Sequence, residues 1–251
     1  MTDLILDIYP FLSFKNADNT LSRIAVSYSW VPEEFKRRLK AYTILAAYTA
    51  NLANLVRNVE ADDLHEYGDA NFICVAMASA VLGDQVQIVA PEAQAQEDFF
   101  SDWVKDELFF TKMFANEYTA SNLGDCVYRL SFSRNKGRVL VKEFDPGFWF
   151  PFNLGKSNER HILAWEEQNG DEIEIYKEEY SLQSPASGTG RSTAHLTAGW
   201  YEKKNRPGLD DLKFLRFATD ADGNTLDNYD LGTDFIPISY VPNIYRGGWD
   251  F

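Results

Sequence analysis

The sequence predicts an α+β protein, long helices first and antiparallel β hairpins after them. Two observations lead there. In the first half, apolar residues recur at alternating steps of three and four, the signature of one helical face. After Gly124 the pattern changes to period-two alternation, broken by short turns rich in Asn and Gly.

The elements follow in chain order. SRIAVSYSW, ending at Trp30, alternates as a short strand or extended lead-in. Pro32, Glu33 and Glu34 then open a helix, because proline fits the first turn and acids there complement the helix dipole. Phe35, Leu39, Tyr42, Leu45, Thr49, Leu52 and Val56 share a face and predict a helix over 33–57. A short apolar helix over 70–81, a strand over 85–90 and a second long helix over 96–120 come next, the last with Phe99, Trp103, Leu108, Met113 and Phe114 in phase.

Three hairpins follow. CVYRLSF and RVLVKEF flank the turn RNKG; HILAWEE and EIEIYKEEYSL flank Asn169 and Gly170; LKFLRFATD and TLDNYDL flank DGN. Residues 184–195 read as a mobile Gly/Ser/Thr-rich loop, and FIPISYVPN as a last strand. The expected organisation is an extended segment and long helix over 1–60, then an α+β domain over 61–251.

A formal net charge of −14 argues against a protein that grips nucleic acid with a basic face, since Lys and Arg contacts to phosphate supply most non-specific affinity. No apolar run reaches the roughly eighteen residues of a membrane span, and MTDLILDIYPF lacks the basic start of a secretory leader. The chain therefore reads as one made in the cytosol, without membrane contact. Cys74 and Cys126 sit in apolar patterns and read as buried, reduced thiols.

Each chemistry-bearing cluster has a plainer reading beside it. DADGNTLD (220–227) has acids at alternate positions, but an EF-hand loop counted from Asp220 needs Gly and Glu where Thr225 and Leu231 stand, so a hairpin turn is preferred. GTGRST lacks the spacing of a phosphate loop. His65, His161 and His195 are scattered without zinc spacing, and His65 among Asp62, Asp63, Glu66 and Asp69 reads as part of a solvated linker. Glu166 with Glu167, and Glu178 with Glu179, are strand neighbours that turn to opposite faces, whereas a glycosidase needs two carboxylates across a cleft. Lys36, Arg37, Arg38 and Lys40 oppose the dipole of the first helix, which suggests either contact with an acidic neighbouring copy or plain solvation.

EFDPGFWFPF (143–152) gathers five aromatic side chains around two prolines and a glycine. Strand alternation puts Phe148 and Phe150 on one face and Trp149 on the other, in a short edge segment, with Asp145 initiating a turn. One face is expected to be core and the other to meet a neighbour.

Four motifs, in order, carry a resemblance: Leu82-Gly83-Asp84; Leu123-Gly124-Asp125 with Val127 and Tyr128; Asp145-Pro146-Gly147-Phe148 with Phe150 and Pro151; and IPISYVPN with Pro237, Val241, Pro242 and Asn243. Together they resemble the N-terminal half of portal proteins of tailed bacteriophages, over about 200 residues. There, an LGD turn follows a short helix, an LGDgvy strand follows the second helix, a DPgfyFP turn follows the next strand, and a vpN strand comes later. Cys126 stands where the family usually has glycine. In the family a stem helix, clip and crown follow the vpN strand, whereas this sequence stops at YRGGWDF, which suggests a truncation rather than a shortened relative.

The resemblance implies a β-rich, wing-like domain in a structural protein rather than an enzyme: no catalytic residues, no cofactor and no metal. It further implies a dodecameric ring of identical subunits at a capsid vertex. Its partners would be the major capsid protein and scaffold, the terminase and tail connector or adaptor proteins, with double-stranded DNA passing non-specifically through the channel. The expected location is the virion, and the host cytoplasm during assembly. Two alternatives remain open: a carbohydrate-active enzyme with Trp103, Trp149, Trp165 and Trp200 as stacking platforms, and a monomeric β-rich binding module.

Overall fold

A computed structural model describes residues 12–14, 24–26, 29–49, 69–82, 93–133, 136–156, 158–170, 172–184, 191–203 and 208–242. Among the described residues, four α-helices and antiparallel sheets make the protein α+β, with most of the strands after the helices. A two-stranded sheet pairs β1 (Leu12–Phe14) with β2 (Ile24–Val26), the latter lying within the expected SRIAVSYSW strand. Two units divide the chain. One comprises Met1–Ile24, Ala41–Asp145 and Ser239–Phe251, the other Ala25–Lys40 and Pro146–Ile238. The expected boundary at 60/61, the 85–90 strand, residues 50–57 of the first helix and the Gly83-Asp84 turn lie outside the described residues.

Helix α1 (Glu33–Thr49) starts where the acids and Pro32 place it. Its buried stripe is Phe35, Leu39, Tyr42, Thr43, Ala46 and Ala47, and Leu45 is exposed. Continuing the four-three alternation from Tyr42 leads to Ala46, so the small residue, not the larger leucine, lies on the covered face.

In the first unit, α2 (Asp69–Leu82) packs on α4 (Phe109–Leu123) through Cys74 and Ala78. The single helix expected over 96–120 is two: α3 (Gln94–Asp106) and α4, with Leu108 between them in the left-handed region at φ 52°. No Gly or Pro marks this break. The chain turns there around Glu107, whose buried carboxylate lies 3.1 Å from Lys112 Nζ and 3.0 Å from Arg138 Nε. A buried carboxylate must be paired, and one of those partners comes from a strand thirty residues away, which local periodicity does not encode.

Gly124, at φ 90°, closes α4 by donating its N–H to the Ala120 carbonyl and releases the chain into β3 (Asp125–Ser133). β3 pairs with β4 (Arg138–Phe144) from Val127↔Phe144 to Ser133↔Arg138, as the first hairpin predicts. On the other side of β3 lies β11 (Ile238–Pro242), giving the order β11-β3-β4.

The second unit is built on a six-stranded antiparallel sheet. β5 (Trp149–Phe152), β6 (Arg160–Asn169), β7 (Glu172–Gln183) and β8 (Thr193–Glu202) follow one another in space, with β5 at the edge. The second hairpin is β6–β7, joined through Gly170 at φ 65°. The third expected hairpin forms only at its tip, where Thr219 bridges Thr225 and the N–H groups of Asp220 and Leu226 bond the carbonyls of Asn224 and Ala218; beyond the tip β9 (Lys213–Phe217) and β10 (Tyr229–Asp230) both pair with β8 instead of with each other. Three residues of the expected mobile loop, Thr193, Ala194 and His195, are strand, and β8 is an inner strand that pairs with β7 on one side and with β9 and β10 on the other. The alternation of buried Ala194, Leu196 and Ala198 was its sequence signal, weakened because two of the three are alanines.

Candidate functional site

The second unit holds nearly all the chemistry-bearing side chains that the sequence singles out, on the two faces of the sheet and at the corner leading into it. Pro146–Phe148 form a 3-10 turn directly after Asp145, so alternation begins only at Trp149. Phe150 is buried between Trp30 and Phe35, at ring distances of 5.9 and 5.3 Å in edge-to-face geometry. Trp149 points the other way, also fully buried, and donates its indole N–H to His161 Nδ1 at 3.2 Å. Phe148 lies against Trp165, on the Trp149 side, and not with Phe150 as simple alternation predicts. With both Trp149 and Phe150 buried, the corner offers neither ring to a neighbour, which corrects the expectation of one outward face.

Since His161 Nδ1 accepts, its proton sits on Nε2, which donates to Glu159 at 2.7 Å. Burial pushes the imidazole below its ordinary value of 6.5, with Glu159 pulling weakly the other way. His161 is thus a neutral core residue relaying one hydrogen bond from Trp149 to Glu159. His195 bonds Thr193 and the Asn228 carbonyl, and His65 lies outside the described residues.

Arg38 explains part of the basic cluster on α1. Its guanidinium donates to the carbonyls of Trp149 and Pro146 and stacks 5.2 Å from the Phe35 ring centre and 5.5 Å from Trp149. Lys36 pairs with Glu33 one turn earlier. Of the four basic residues, Arg38 therefore pins the corner, and Arg37 remains exposed.

On the sheet face that carries Trp149, a row crosses four strands: Trp165, Tyr176, Trp200 and Arg216. The rings lie 4.8 and 5.1 Å apart, inclined to one another, and the guanidinium of Arg216 sits 4.5 Å from the Trp200 ring centre. Glu167 accepts the indole N–H groups of both Trp165 (2.9 Å) and Trp200 (3.0 Å). Glu174, directly opposite Glu167, is held by Arg216 through two bonds of 2.8 and 2.6 Å, and this holds its carboxyl below the usual value of 4.5. Glu178 accepts from Tyr180 at 2.8 Å.

The opposite face has its own network. Trp30 donates to Glu166 at 2.9 Å; Arg160 grips Asp210 with both terminal nitrogens and reaches Glu179 at 3.0 Å; Lys177 meets Glu179 at 3.1 Å. Arg160 depresses the Asp210 carboxyl below its usual value. Neighbouring acids thus do turn to opposite faces, as their strand positions predict. Glu167, Glu174 and Glu178 share a face, yet their oxygens are engaged: Glu167 with Trp200 and Glu174 with Arg216 tie strands together, and Glu178 bonds Tyr180 along its own strand. Trp149 is buried, and Trp103 donates to the Val139 carbonyl in the first unit, so the four tryptophans do not make one platform.

At 220–227, the Asp220 carboxylate accepts the backbone N–H groups of Asp222 and Asn224 and the Asn224 side-chain amide. These are the bonds of a turn. Among the described residues no cluster of His, Cys, Asp and Glu has the form of a metal site. Cys74 and Cys126 are buried free thiols; burial, with Glu117 and Asp125 nearby, pushes Cys126 up to about 12, far from a nucleophilic thiolate. Glycines 188 and 190 of the GTGRST segment lie outside the described residues. Among the described residues no helix is long and apolar enough to cross a membrane.

In the first unit, motifs more than a hundred residues apart converge. Asp125 accepts hydrogen bonds from the hydroxyls of Tyr42 and Tyr240, the latter at 2.6 Å, and Cys126 Sγ lies 3.7 Å from the Val241 carbonyl. In the sequence Asp125 stands only at the entry of a strand; its role as anchor for two tyrosines needs the pairing of β11 with β3. No family model matches the chain, and no curated protein matches it.

Proposed function

We propose that the chain is the wing part of a portal subunit, a structural protein whose copies form a ring through which double-stranded DNA enters and leaves a capsid. The observation that carries this reading is the meeting of two separated motifs in one small sheet, whose strand β4 runs directly into the third. Leu123 to Tyr128 lead α4 into β3, Asp145 to Pro151 follow β4, and the IPISYVP run forms β11 beside β3. A helix running through LGD into a strand, and a strand running into a DPGF turn, are the local structures the resemblance implies.

The engagement of Glu167, Glu174 and Glu179 in bonds between strands supports a scaffold over a catalyst. The charge of −14 is consistent with a wall past which a polyanion slides, because each ion pair with phosphate would add a barrier to movement. On this reading the partners are further copies of the chain, the capsid and scaffold proteins, the terminase and the tail adaptors. The subunit carries out no chemistry itself.

The test is electron microscopy and sedimentation of the product of the whole parent reading frame. Closed rings with a central channel are expected. A protein that stays monomeric at about 100 μM, far above the dissociation constant of a standard interface, overturns the proposal.

A further inference from the structure

Two helices of the first unit leave apolar surface uncovered. From Ala70 to Leu82, α2 has no charged side chain, in a chain that is one quarter charged. Only Cys74 and Ala78 are buried, against α4, while Phe72 is 73% exposed, Val81 57%, Ile73 53%, Met77 42% and Val75 41%. A helix apolar on every side is normally enclosed. α3 is the converse case. It is amphipathic, with Phe99, Phe100, Trp103 and Val104 along one side and Glu97, Asp98, Asp102 and Asp106 elsewhere, yet none of its residues is buried. Phe99 is 62% exposed and Phe100 40%.

Taking roughly 160–200 Å² for a fully exposed side chain of these sizes, the Ile73, Met77 and Val81 side of α2 and the apolar side of α3 together present about 500 Å². Interfaces are a little under 60% apolar, so about 500 Å² corresponds to a total of roughly 850 Å², the size of a weak contact that other contacts of an assembly would reinforce.

We propose that α2 of one copy docks on α3 of the next. This rests on the ring reading for its occupant, a second copy of the chain. The charge pattern favours that pairing. Two α3 faces would bring their flanking acids together, whereas the uncharged α2 lets a strongly acidic chain approach another without opposing charges. Where each copy uses its α2 on one neighbour and its α3 on the other, the contact is heterologous, and repeated contacts of that kind close rings or run into filaments. Ile73, Met77 and Val81, at steps of four, form the ridge that enters the α3 face.

Sedimentation of the 251-residue chain over about 1 μM to 1 mM, with Met77→Glu and Phe99→Glu variants, tests this. The wild type is expected to associate with concentration, and each variant, with unchanged far-UV circular dichroism, to associate at least tenfold more weakly. The decisive measurement is the mixture. One mutated copy of each kind leaves one intact α2 and one intact α3, so equimolar variants are expected to form dimers and nothing larger.

A wild type monomeric at 1 mM overturns the inference, as does a mixture that stays monomeric, and so does either variant alone associating as the wild type does, which would mean that like meets like. Binding of the wild type to neutral phosphatidylcholine vesicles without self-association also overturns it, in favour of a lipid surface. The ring reading fails separately: if the mixture dimerises but the whole reading frame gives open filaments, the contact stands and the ring does not.

Discussion

Gly199 tests the architecture of the second unit most directly. It lies on β8 opposite Phe217 of β9, where a β carbon would sit 2.5 Å from the Arg216 carbonyl oxygen and 3.3 Å from the Phe217 α carbon. Both obstacles are backbone, so no side chain can swing aside. Alanine there must push β9 away from β8, loosening the pairing that sets Arg216 over Trp200 and against Glu174. Overpacking of this kind costs about 1–3 kcal/mol. With a urea slope of about 2 kcal/mol/M, a loss of about 2 kcal/mol lowers the midpoint by about 1 M. Intrinsic fluorescence reports the right unit, since Trp30, Trp149, Trp165 and Trp200 belong to it and only Trp103 and Trp249 do not. A contrast sharpens the test. Gly170 occupies a left-handed turn with nothing near its missing β carbon, so Gly170→Asn is expected to be tolerated while Gly199→Asn is not. A Gly199→Ala midpoint within about 0.25 M of wild type, under about 0.5 kcal/mol at the same slope, would refute the close approach of β9.

Other outcomes follow from the same geometry. The folded His161 titrates below 6.5, so as pH falls the unfolded chain takes up its proton first. His161 therefore contributes a stability that is complete above about 6.5 and lost below it, and His161→Gln is expected to flatten that part of the urea midpoint against pH. Glu174 has the same sign in a lower window: its contribution is present above about 4.5 and lost on acidification below it, and Arg216→Met should remove that dependence. Phe150→Ala should cost about 3–5 kcal/mol, read by the same denaturation, because it empties a fully enclosed ring site between Trp30 and Phe35. Leu108→Gly should raise stability by about 0.5–1 kcal/mol, measured as a higher thermal midpoint, by relieving a left-handed leucine with an exposed side chain.

Much of the fold is legible in residue order because its signals are local. Pro32 with Glu33 and Glu34 starts α1, Gly124 ends α4, and two hairpins are written in alternation and turn residues; these act within a few residues of where they stand. The Asp220 turn is legible for the same reason, the carboxylate and its donors being four residues apart. What stayed hidden depends on distant partners. The break at Leu108 follows from burying Glu107 against Arg138, and β9 and β10 part beyond their shared turn because each pairs with β8. The roles of Arg38, Glu167 and Asp125 likewise appear only when strands far apart in sequence come into register. Residue order carries the α+β order, the apolar settings of the two thiols and the four motifs in line. Packing closes the aromatic corner, engages Glu167 and Glu174 across strands, and leaves apolar side chains of α2 and α3 bare. Periodicity records which side of an element is apolar; whether anything covers that side is a property of the assembled chain.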